Sequence, residues 1–245
     1  MANAVAVVPK DGVGHGALEV DVGAQDISEE FEGFALQLAA AEAAWDRHDH
    51  TMLFAAEKGL DIALVDVDLG AKAQMDDAYR VKNPQMIVPA LELDDGTLLT
   101  ESVAICRYLE ELHPTPNLFG ASALERAQVE MWNRRMEQEG LAAVAEAFRN
   151  TVPGFAGRAL PGPHDYDQIA ELAARGQARL AHFFDDLNAH LATSAFVAGD
   201  RFTIADITAY IAVDFAKVAK KRPDDSQPVL IAWRDKVAAR PSAAA

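Results

Sequence analysis

Residues 83–114 read NPQMIVPALELDDGTLLTESVAICRYLEELHP. The apolar run over 87–93 predicts a β-strand, and the Asp-Gly pair after it is typical of a tight hairpin turn. A partner strand is predicted over 97–99. A helix is predicted over 102–112, and it ends at a His-Pro pair because the residue before a proline disfavours helix. The stretch therefore predicts a β-hairpin followed by a helix.

The sequence just upstream supplies the other half of a small sheet. A short helix is predicted over 52–58, with Gly59 as its C-terminal cap, and a strand rich in Ile, Leu and Val over 61–68. A second short helix is predicted over 76–80. One further strand is expected in front of this order. The whole is then a thioredoxin-like sheet, in which a βαβ unit is joined to a hairpin and a final helix.

Residues 1–45 differ in composition from the rest of the chain. They carry eight acidic residues and one lysine, and so contribute −7 to the net charge of −16. The run over 4–8 is typical of a short strand, and 31–45 predicts an alanine-rich helix, with four glycines between the two. We therefore predict an atypical N-terminal segment over 1–45.

The remainder of the chain has helical patterns. Residues 124–148 predict one long helix, and a second begins at Thr203, where Thr203 and Asp206 have the spacing of a capping box. Within 165–192 apolar positions recur at steps of three or four, the stripe of a core-facing helix. These positions are Ile169, Leu172, Gly176, Leu180, Phe183, Leu187 and Leu191.

These patterns divide the chain. The predicted fold class is α/β plus all-α, with a thioredoxin-like N-terminal domain over 46–113 and an all-helical C-terminal domain over 120–245. A linker containing prolines joins the two.

Charge and composition exclude several classes of function. Twenty-two Lys and Arg against 38 Asp and Glu give a net charge of −16, which argues against nucleic acid and anionic lipid as partners. The absence of a long apolar run and of a leader peptide predicts a cytoplasmic protein with no membrane partner. The single cysteine, Cys106, excludes an intramolecular disulfide or a cysteine-built zinc site.

Five stretches together resemble bacterial cytosolic glutathione S-transferases, over about residues 51–241. The order and spacing of the Val-Pro, hairpin and Glu-Ser elements are specific, and the later FTIAD element supports the same family independently. The stretches are AEKGL at 56–60, the one at 83–114, NLFG at 117–120, ERAQVEMW at 125–132 and FVAGDRFTIADI at 196–207.

The resemblance implies a glutathione-binding site. The main-chain N–H and C=O of Val88, before a cis Pro89, would pair with the cysteinyl part like an added strand. Ser102 would receive the γ-glutamyl carboxylate at a helix N-terminus, and Glu101 would face its ammonium. From the residues alone an N-cap is the simpler role for Ser102, and both roles can hold.

The resemblance also implies the rest of the functional setting. Glutathione would be the co-substrate, with no metal, and a small hydrophobic electrophile the second substrate. The protein would be a homodimer with a role in detoxification.

The chain departs from the family at the residue that activates the thiol. The family's Ser, Tyr or Cys would fall 11 to 13 residues before Gly59, where this chain has Asp46, Arg47 and His48. The first 60 residues hold two hydroxyl side chains, Ser28 and Thr51. Ser28 is too far upstream without a loop insertion. Weak catalytic candidates are therefore Thr51, His48 and Arg47, with His50 as a further electrostatic option, and Thr51 is also a candidate N-cap.

The N-terminal departure has two open explanations. The segment is either a replacement that abolishes thiol activation or the product of a shifted reading frame or altered start. Met86 also stands where many relatives have glycine before the proline turn.

Several other residues have simpler structural explanations. A metal site over 46–50 is not adopted, because a short His/Asp cluster gives too few ligands at workable geometry. Cys106 is interpreted as a small buried hydrophobe, and Thr203 with Asp206 as a helix cap. Trp132 and Met136 either fill the core or face the acceptor substrate, and core is the preferred interpretation.

Two classes of function follow. The first is a glutathione-dependent transferase, and the second is a non-catalytic interaction module or a glutathione carrier with the same fold. The missing hydroxyl favours the second class, whereas Val88-Pro89 and Glu101-Ser102 favour ligand binding.

Overall fold

A computed structural model of the chain describes residues 37–40 and 50–244. None of the helices in this part of the chain is long and apolar enough to cross a membrane.

A four-stranded sheet forms the N-terminal part. Its strands are β1 (Gln37–Ala40), β2 (Ala63–Asp66), β3 (Ala90–Glu92) and β4 (Leu98–Thr100), in the order β2-β1-β3-β4. The pairing of β1 with β2 is parallel and the other two pairings are antiparallel. This is the thioredoxin-like arrangement that the sequence predicts.

Three helices belong to this sheet. They are α1 (His50–Lys58), α2 (Asp77–Lys82) and α3 (Ser102–Leu112), and α3 has the bounds predicted from the sequence. Helix α1 ends at Lys58, and Gly59 after it has a φ of 66°, in the left-handed region, so the predicted glycine cap is confirmed. The predicted strands and the second short helix are also present, with bounds shifted by one to three residues.

Strand β1 overturns one prediction. The alanine-rich helix predicted over 31–45 is wrong at residues 37–40, which form β1, one of the two inner strands of the sheet. The segment QLAA has helical propensity, but β2 and β3 pair with it on both sides, and such long-range pairing overrides local preference. The sheet thus takes in residues ahead of the predicted domain start at 46. The strand predicted over 4–8 lies outside the described residues.

The C-terminal part is helical. Its helices are α4 (Ala123–Arg135), α5 (Ala142–Arg149), α6 (Ala170–Leu191), α7 (Ile204–Phe215) and α8 (Pro228–Ala238). Every residue from Ile204 to Val213 of α7 is buried, so α7 is the central helix of the core. The predicted capping box at its start is confirmed, and the backbone N–H of Thr203 donates to Asp206 Oδ2 at 2.9 Å.

Two predicted helices differ in detail. The single helix over 124–148 is interrupted by a π-helical turn at Met136–Leu141. Within that turn a Cβ added to Gly140 would lie 2.7 Å from Phe183 Cζ, so glycine permits the close approach of α6. The helix predicted over 165–192 begins at Ala170, and Ile169, its N-cap, is 47% exposed. From Gly176 onward the predicted stripe is buried.

Candidate functional site

Three chain segments meet at one end of strands β1, β3 and β4. Ala39 of β1 pairs with Ala90 of β3, and Ala90 pairs with Thr100 of β4. Because these pairings are antiparallel, the residues after β1, those before β3 and those after β4 leave the sheet on the same side. The Val88-Pro89 bond and the start of α3 at Ser102 therefore lie side by side.

The turn before β3 is held by polar side chains. The backbone carbonyl of Ile87 accepts from Asn83 Nδ2 at 2.8 Å and from the Tyr79 hydroxyl at 2.7 Å. Asn83 is 2% exposed, and the burial of Tyr79 raises the pKa of its phenol, so the hydroxyl stays a donor at neutral pH. The turn is therefore built from α2 as well as from its own backbone.

Met86, which stands where the family resemblance places a glycine, lies in the same turn. Met86 has a φ of 53°, in the left-handed region that glycine occupies without steric cost. Met86 N donates to Asn83 O at 2.9 Å, so the turn closes with methionine in place. The departure from the family at this position therefore preserves the turn.

The backbone of Val88 lies in the turn just before β3. The Val88-Pro89 bond is cis, as the resemblance implies. Among the described residues, no backbone hydrogen bond joins Val88 to another residue. Within that part of the chain, its N–H and C=O are open to an extended peptide that pairs with them like an added strand.

The junction between β4 and α3 is a candidate anion site. Glu101 has φ 69° and ψ 115°, an unusual conformation for a residue other than glycine, and its side chain is exposed. Ser102 is the first residue of α3 and is half-buried. The hydroxyl and the N-terminal amides of α3 can both donate to a carboxylate.

Helix α1 starts at the same end of the strands, but its first residues are poor candidates for thiolate stabilisation. Thr51 is fully buried and is the second residue of the helix rather than its N-cap. Burial lowers the pKa of His50 to about 4, so its imidazole is neutral at pH 7 and provides no positive charge. Asp46, Arg47, His48 and Ser28 lie outside the described residues.

Helix α1 is fixed at its other end by Lys58, whose side chain is fully buried. Its ammonium forms an ion pair with Glu110 of α3 and donates to the carbonyls of His113 at 2.7 Å and Pro116 at 2.5 Å. Sequence reasoning missed this pair. The sequence feature that indicates such a pair is a lysine and a glutamate on the apolar faces of two predicted helices.

Two further predictions concern the interior. Cys106 of α3 is fully buried, as predicted. Met136 is 2% exposed and belongs to the core. Trp132 is half-buried and stacks on His190 with ring centroids 3.9 Å apart, so it packs within the helical part.

Comparison with known proteins agrees with this arrangement. Residues 51–117 match the glutathione S-transferase N-terminal domain, and residues 143–241 match the C-terminal domain. Glutathione S-transferase 2 of Saccharomyces cerevisiae is 33% identical over 190 residues, which cover 76% of this chain and 79% of the yeast protein. A maleylacetoacetate isomerase of Rhizobium meliloti is 32% identical over 148 residues, 58% of this chain and 64% of the isomerase.

Solved structures extend the agreement to three dimensions. A glutathione S-transferase domain-containing protein of Marinobacter aquaeolei superposes with a TM-score of 0.75 at 35% identity. The match covers 84% of this chain and 98% of that protein. The sheet order, the helical C-terminal part and both domain matches lead to one conclusion: the chain belongs to the glutathione S-transferase family.

Proposed function

We propose that the protein binds glutathione at the end of strands β3 and β4, where Val88, Pro89, Glu101 and Ser102 meet. It transfers the thiol of glutathione to a small hydrophobic electrophile. The observation that supports this most is the strand register that aligns Ala39, Ala90 and Thr100. That register brings the backbone of Val88 next to the N-terminus of α3. Glutathione has the matching groups, an extended peptide backbone and a free α-carboxylate.

Each group of the ligand has a partner in this proposal. The cysteinyl N–H and C=O pair with the backbone of Val88, and the γ-glutamyl carboxylate accepts from Ser102 and from the first amides of α3. The exposed Glu101 carboxylate faces the γ-glutamyl ammonium. The ligand is thereby held at both ends of its γ-glutamyl-cysteinyl unit.

The reaction is a nucleophilic substitution or addition at an electrophilic carbon. The glutathione thiol loses its proton, its sulfur forms a bond to that carbon, and a leaving group departs where the electrophile has one. Binding both reactants in one cleft contributes through proximity. Arg47 and His48 remain the candidates for stabilising the thiolate, because burial makes Thr51 and His50 poorer ones.

Family membership supports the remaining parts of the proposal. They are a homodimer, a cytoplasmic location, detoxification as the role and glutathione without a metal. The division into a domain over 46–113 and a helical domain over 120–245 is also a proposal, to which the described structure adds residues 37–40.

The first experiment measures glutathione binding by calorimetry for the wild type, Ser102→Ala and Ser122→Ala. Ser122 is a matched control, because it caps the N-terminus of α4 by accepting from Glu125 N at 3.1 Å. We expect Ser102→Ala to weaken binding by about tenfold, roughly the value of one hydrogen bond to a charged group, and Ser122→Ala to leave it unchanged. An absence of binding by the wild type would contradict the proposal.

Turnover separates the transferase from the alternative function. A non-catalytic carrier or interaction module is favoured by the burial of Thr51 and the neutral state of His50. Conversion of an aryl halide or of an α,β-unsaturated carbonyl by the same sample supports the enzyme. Binding that depends on Ser102, without conversion of either electrophile, supports the carrier.

A further inference from the structure

Glu57, near the end of α1, is held by residues that follow α8. Both Nε and Nη2 of Arg240 donate to its carboxylate at 2.6 Å, and the hydroxyl of Ser242 donates to the same group. The Glu57 side chain is 9% exposed and Ser242 is 8% exposed. Burial opposes ionisation of this carboxyl, yet the bonds from Arg240 and Ser242 leave its pKa lowered. The contact is thus a bidentate, partly buried ion pair.

Arg240 is itself fixed from a second direction. Its guanidinium lies 4.0 Å from the ring centroid of Phe202, which is 9% exposed. Phe202 lies just ahead of the cap of α7, the central helix of the core. An arginine held by a ring and by a bidentate carboxylate has little conformational freedom left. Arg240 can therefore transmit the position of the helical core to α1.

Neighbouring Lys58 binds in a different direction, to Glu110 and to the linker carbonyls beyond α3. Two consecutive charged residues thus attach the end of α1 to separate parts of the molecule. All nine residues of α1 form one continuous helix, and its first turn packs on α3, where the His50 carbonyl lies 3.9 Å from Cys106 Sγ. A short helix moves as a rigid body, so its fixed end determines where its other end lies.

We propose that Arg240 and Ser242 are positioning residues, which clasp Glu57 and thereby hold α1 against α3 at the proposed glutathione site. The part that concerns glutathione rests on the proposed function. The mechanical part, the effect of the clasp on the contact between α1 and α3, is tested without any ligand. Loss of the clasp loosens α1 from α3 and weakens the site without removing any group that touches the ligand.

The sequence contains a natural reporter for this contact. Cys106, its one cysteine, is fully buried in α3, and its Sγ lies 3.9 Å from the backbone carbonyl of His50 in the first turn of α1. A movement of α1 away from α3 uncovers this thiol. The rate at which an aromatic disulfide reagent labels Cys106 therefore measures how often α1 separates from α3.

The labelling experiment compares Arg240→Ala with a variant of matched stability. Val144→Ala removes methyl groups from a fully buried residue of α5, away from α1, and urea titration shows whether its unfolding midpoint falls by a similar amount. We expect Arg240→Ala to label about tenfold faster than Val144→Ala at equal global stability, since local opening adds to global opening. Arg240→Lys should restore part of the protection, because one hydrogen bond to Glu57 can re-form.

Each result decides the inference. Equal labelling of Arg240→Ala and the stability-matched variant overturns it, because the ion pair then contributes to global stability only. Should Arg240→Ala fail to fold, Ser242→Ala is scored in its place, since it removes one hydrogen bond and keeps the ion pair. A rise in labelling that is smaller but in the same direction supports the clasp, and an unchanged rate overturns it.

Glutathione calorimetry on the same variants tests the link to the site. We expect Arg240→Ala to weaken binding several-fold and Val144→Ala to leave it unchanged, with the protein fully folded in both cases. Faster labelling with unchanged glutathione affinity overturns the link to the site and leaves the proposed function intact. A wild type that does not bind glutathione contradicts the proposed function, and the labelling result then decides the mechanical part by itself.

Discussion

At the scale of single residues, buried polar groups are the ones whose chemistry the fold changes most. Asp206 is fully buried in the capping box of α7, and burial raises the pKa of its carboxyl to about 6, although bonds from Val197 and Thr203 oppose the shift. His50 is shifted the other way, with its pKa lowered to about 4. Between about pH 4 and 6 these two groups change the stability in opposite directions.

The effect of Asp206 on the pH dependence of stability can be measured by comparing the wild type with Asp206→Asn. A carboxyl with a raised pKa stabilises the fold when protonated, and this contribution is lost as the pH rises from the unfolded value of 3.8 through about 6. Relative to Asp206→Asn, the wild type should therefore lose about 1 kcal/mol of unfolding free energy between about pH 5.2 and 7.5. Urea titrations at these two pH values, both above the pI of 4.7, provide the measurement. The titration of His50 cancels in the comparison, and a difference that does not change with pH would contradict the shift.

The left-handed backbone of Met86 makes a second prediction at this scale. A β-branched residue tolerates a φ of 53° poorly, so Met86→Ile should lower the unfolding free energy by about 1–3 kcal/mol. Met86→Gly should cost far less, since glycine adopts this φ freely. Met75→Ile is the control, because Met75 is exposed and has no positive φ. Equal urea midpoints for the two isoleucine variants would show that the turn does not require this conformation.

At the scale of elements, the helical part is assembled through close contacts at glycines. A Cβ added to Gly176 of α6 would lie 2.5 Å from Ala147 N and 2.9 Å from Ala143 O, both backbone atoms of α5. A backbone cannot turn aside as a side chain can. The sequence pattern places Gly176 in the apolar stripe of its helix. It does not reveal that α5 packs so closely there that only glycine fits.

Gly176→Ala tests that contact against helix propensity. Propensity alone would stabilise a helix by about 1 kcal/mol on replacing glycine with alanine. We expect a net loss of about 1–3 kcal/mol instead, because the added methyl group forces α5 and α6 apart. The control is Gly154→Ala, where an added Cβ meets nothing within 4 Å. A Gly176→Ala protein as stable as the wild type by thermal and urea unfolding would mean that the helices separate without penalty.

At the scale of the whole molecule, Lys58 joins parts that are distant in the sequence. The ion pair with Glu110 is buried at both partners, and Leu118 N donates to Glu110 Oε1 at 3.1 Å. Helix α1, the end of α3 and the start of the helical part are therefore tied at one point. A buried charge without its partner is costly, so this point is sensitive to single changes.

Removing one charge of the Lys58–Glu110 pair should lower the unfolding free energy more than removing both charges. We expect Lys58→Met to cost about 3–5 kcal/mol, because it leaves the Glu110 carboxylate buried and uncompensated, and the double variant with Glu110→Gln to recover part of this loss. Lys82→Met is the control, since its pair with Glu92 is exposed and such pairs contribute about 0–1 kcal/mol. Urea unfolding of the wild type, Lys58→Met, Glu110→Gln and the double variant gives the coupling energy. A double variant less stable than Lys58→Met would contradict the assigned charge balance.

Local chemistry predicted much of this molecule. The hairpin, the bounds of α3, the Gly59 cap and the Thr203–Asp206 box each depend on neighbours within a few residues, and all are confirmed. The strand expected ahead of α1 is present as β1, but its position at 37–40 was not predicted, because its partners β2 and β3 lie far along the chain and QLAA has no strand signal of its own. The π-helical turn and the Lys58–Glu110 pair were missed for the same reason. For the site, the sequence identified the turn and the helix start but not the side chains of Tyr79 and Asn83 that hold the turn.

The burial of Cys106 has a consequence for redox chemistry. A thiol exchanges with a disulfide only when the two sulfur atoms can meet in line, and Cys106 is fully covered in the folded chain. A protein that binds glutathione, as proposed for this chain, also meets oxidised glutathione, which converts accessible cysteines into mixed disulfides. With its one thiol enclosed between α1 and α3, the folded chain withholds it from this modification, and resistance to S-glutathionylation depends on how firmly those two helices stay together.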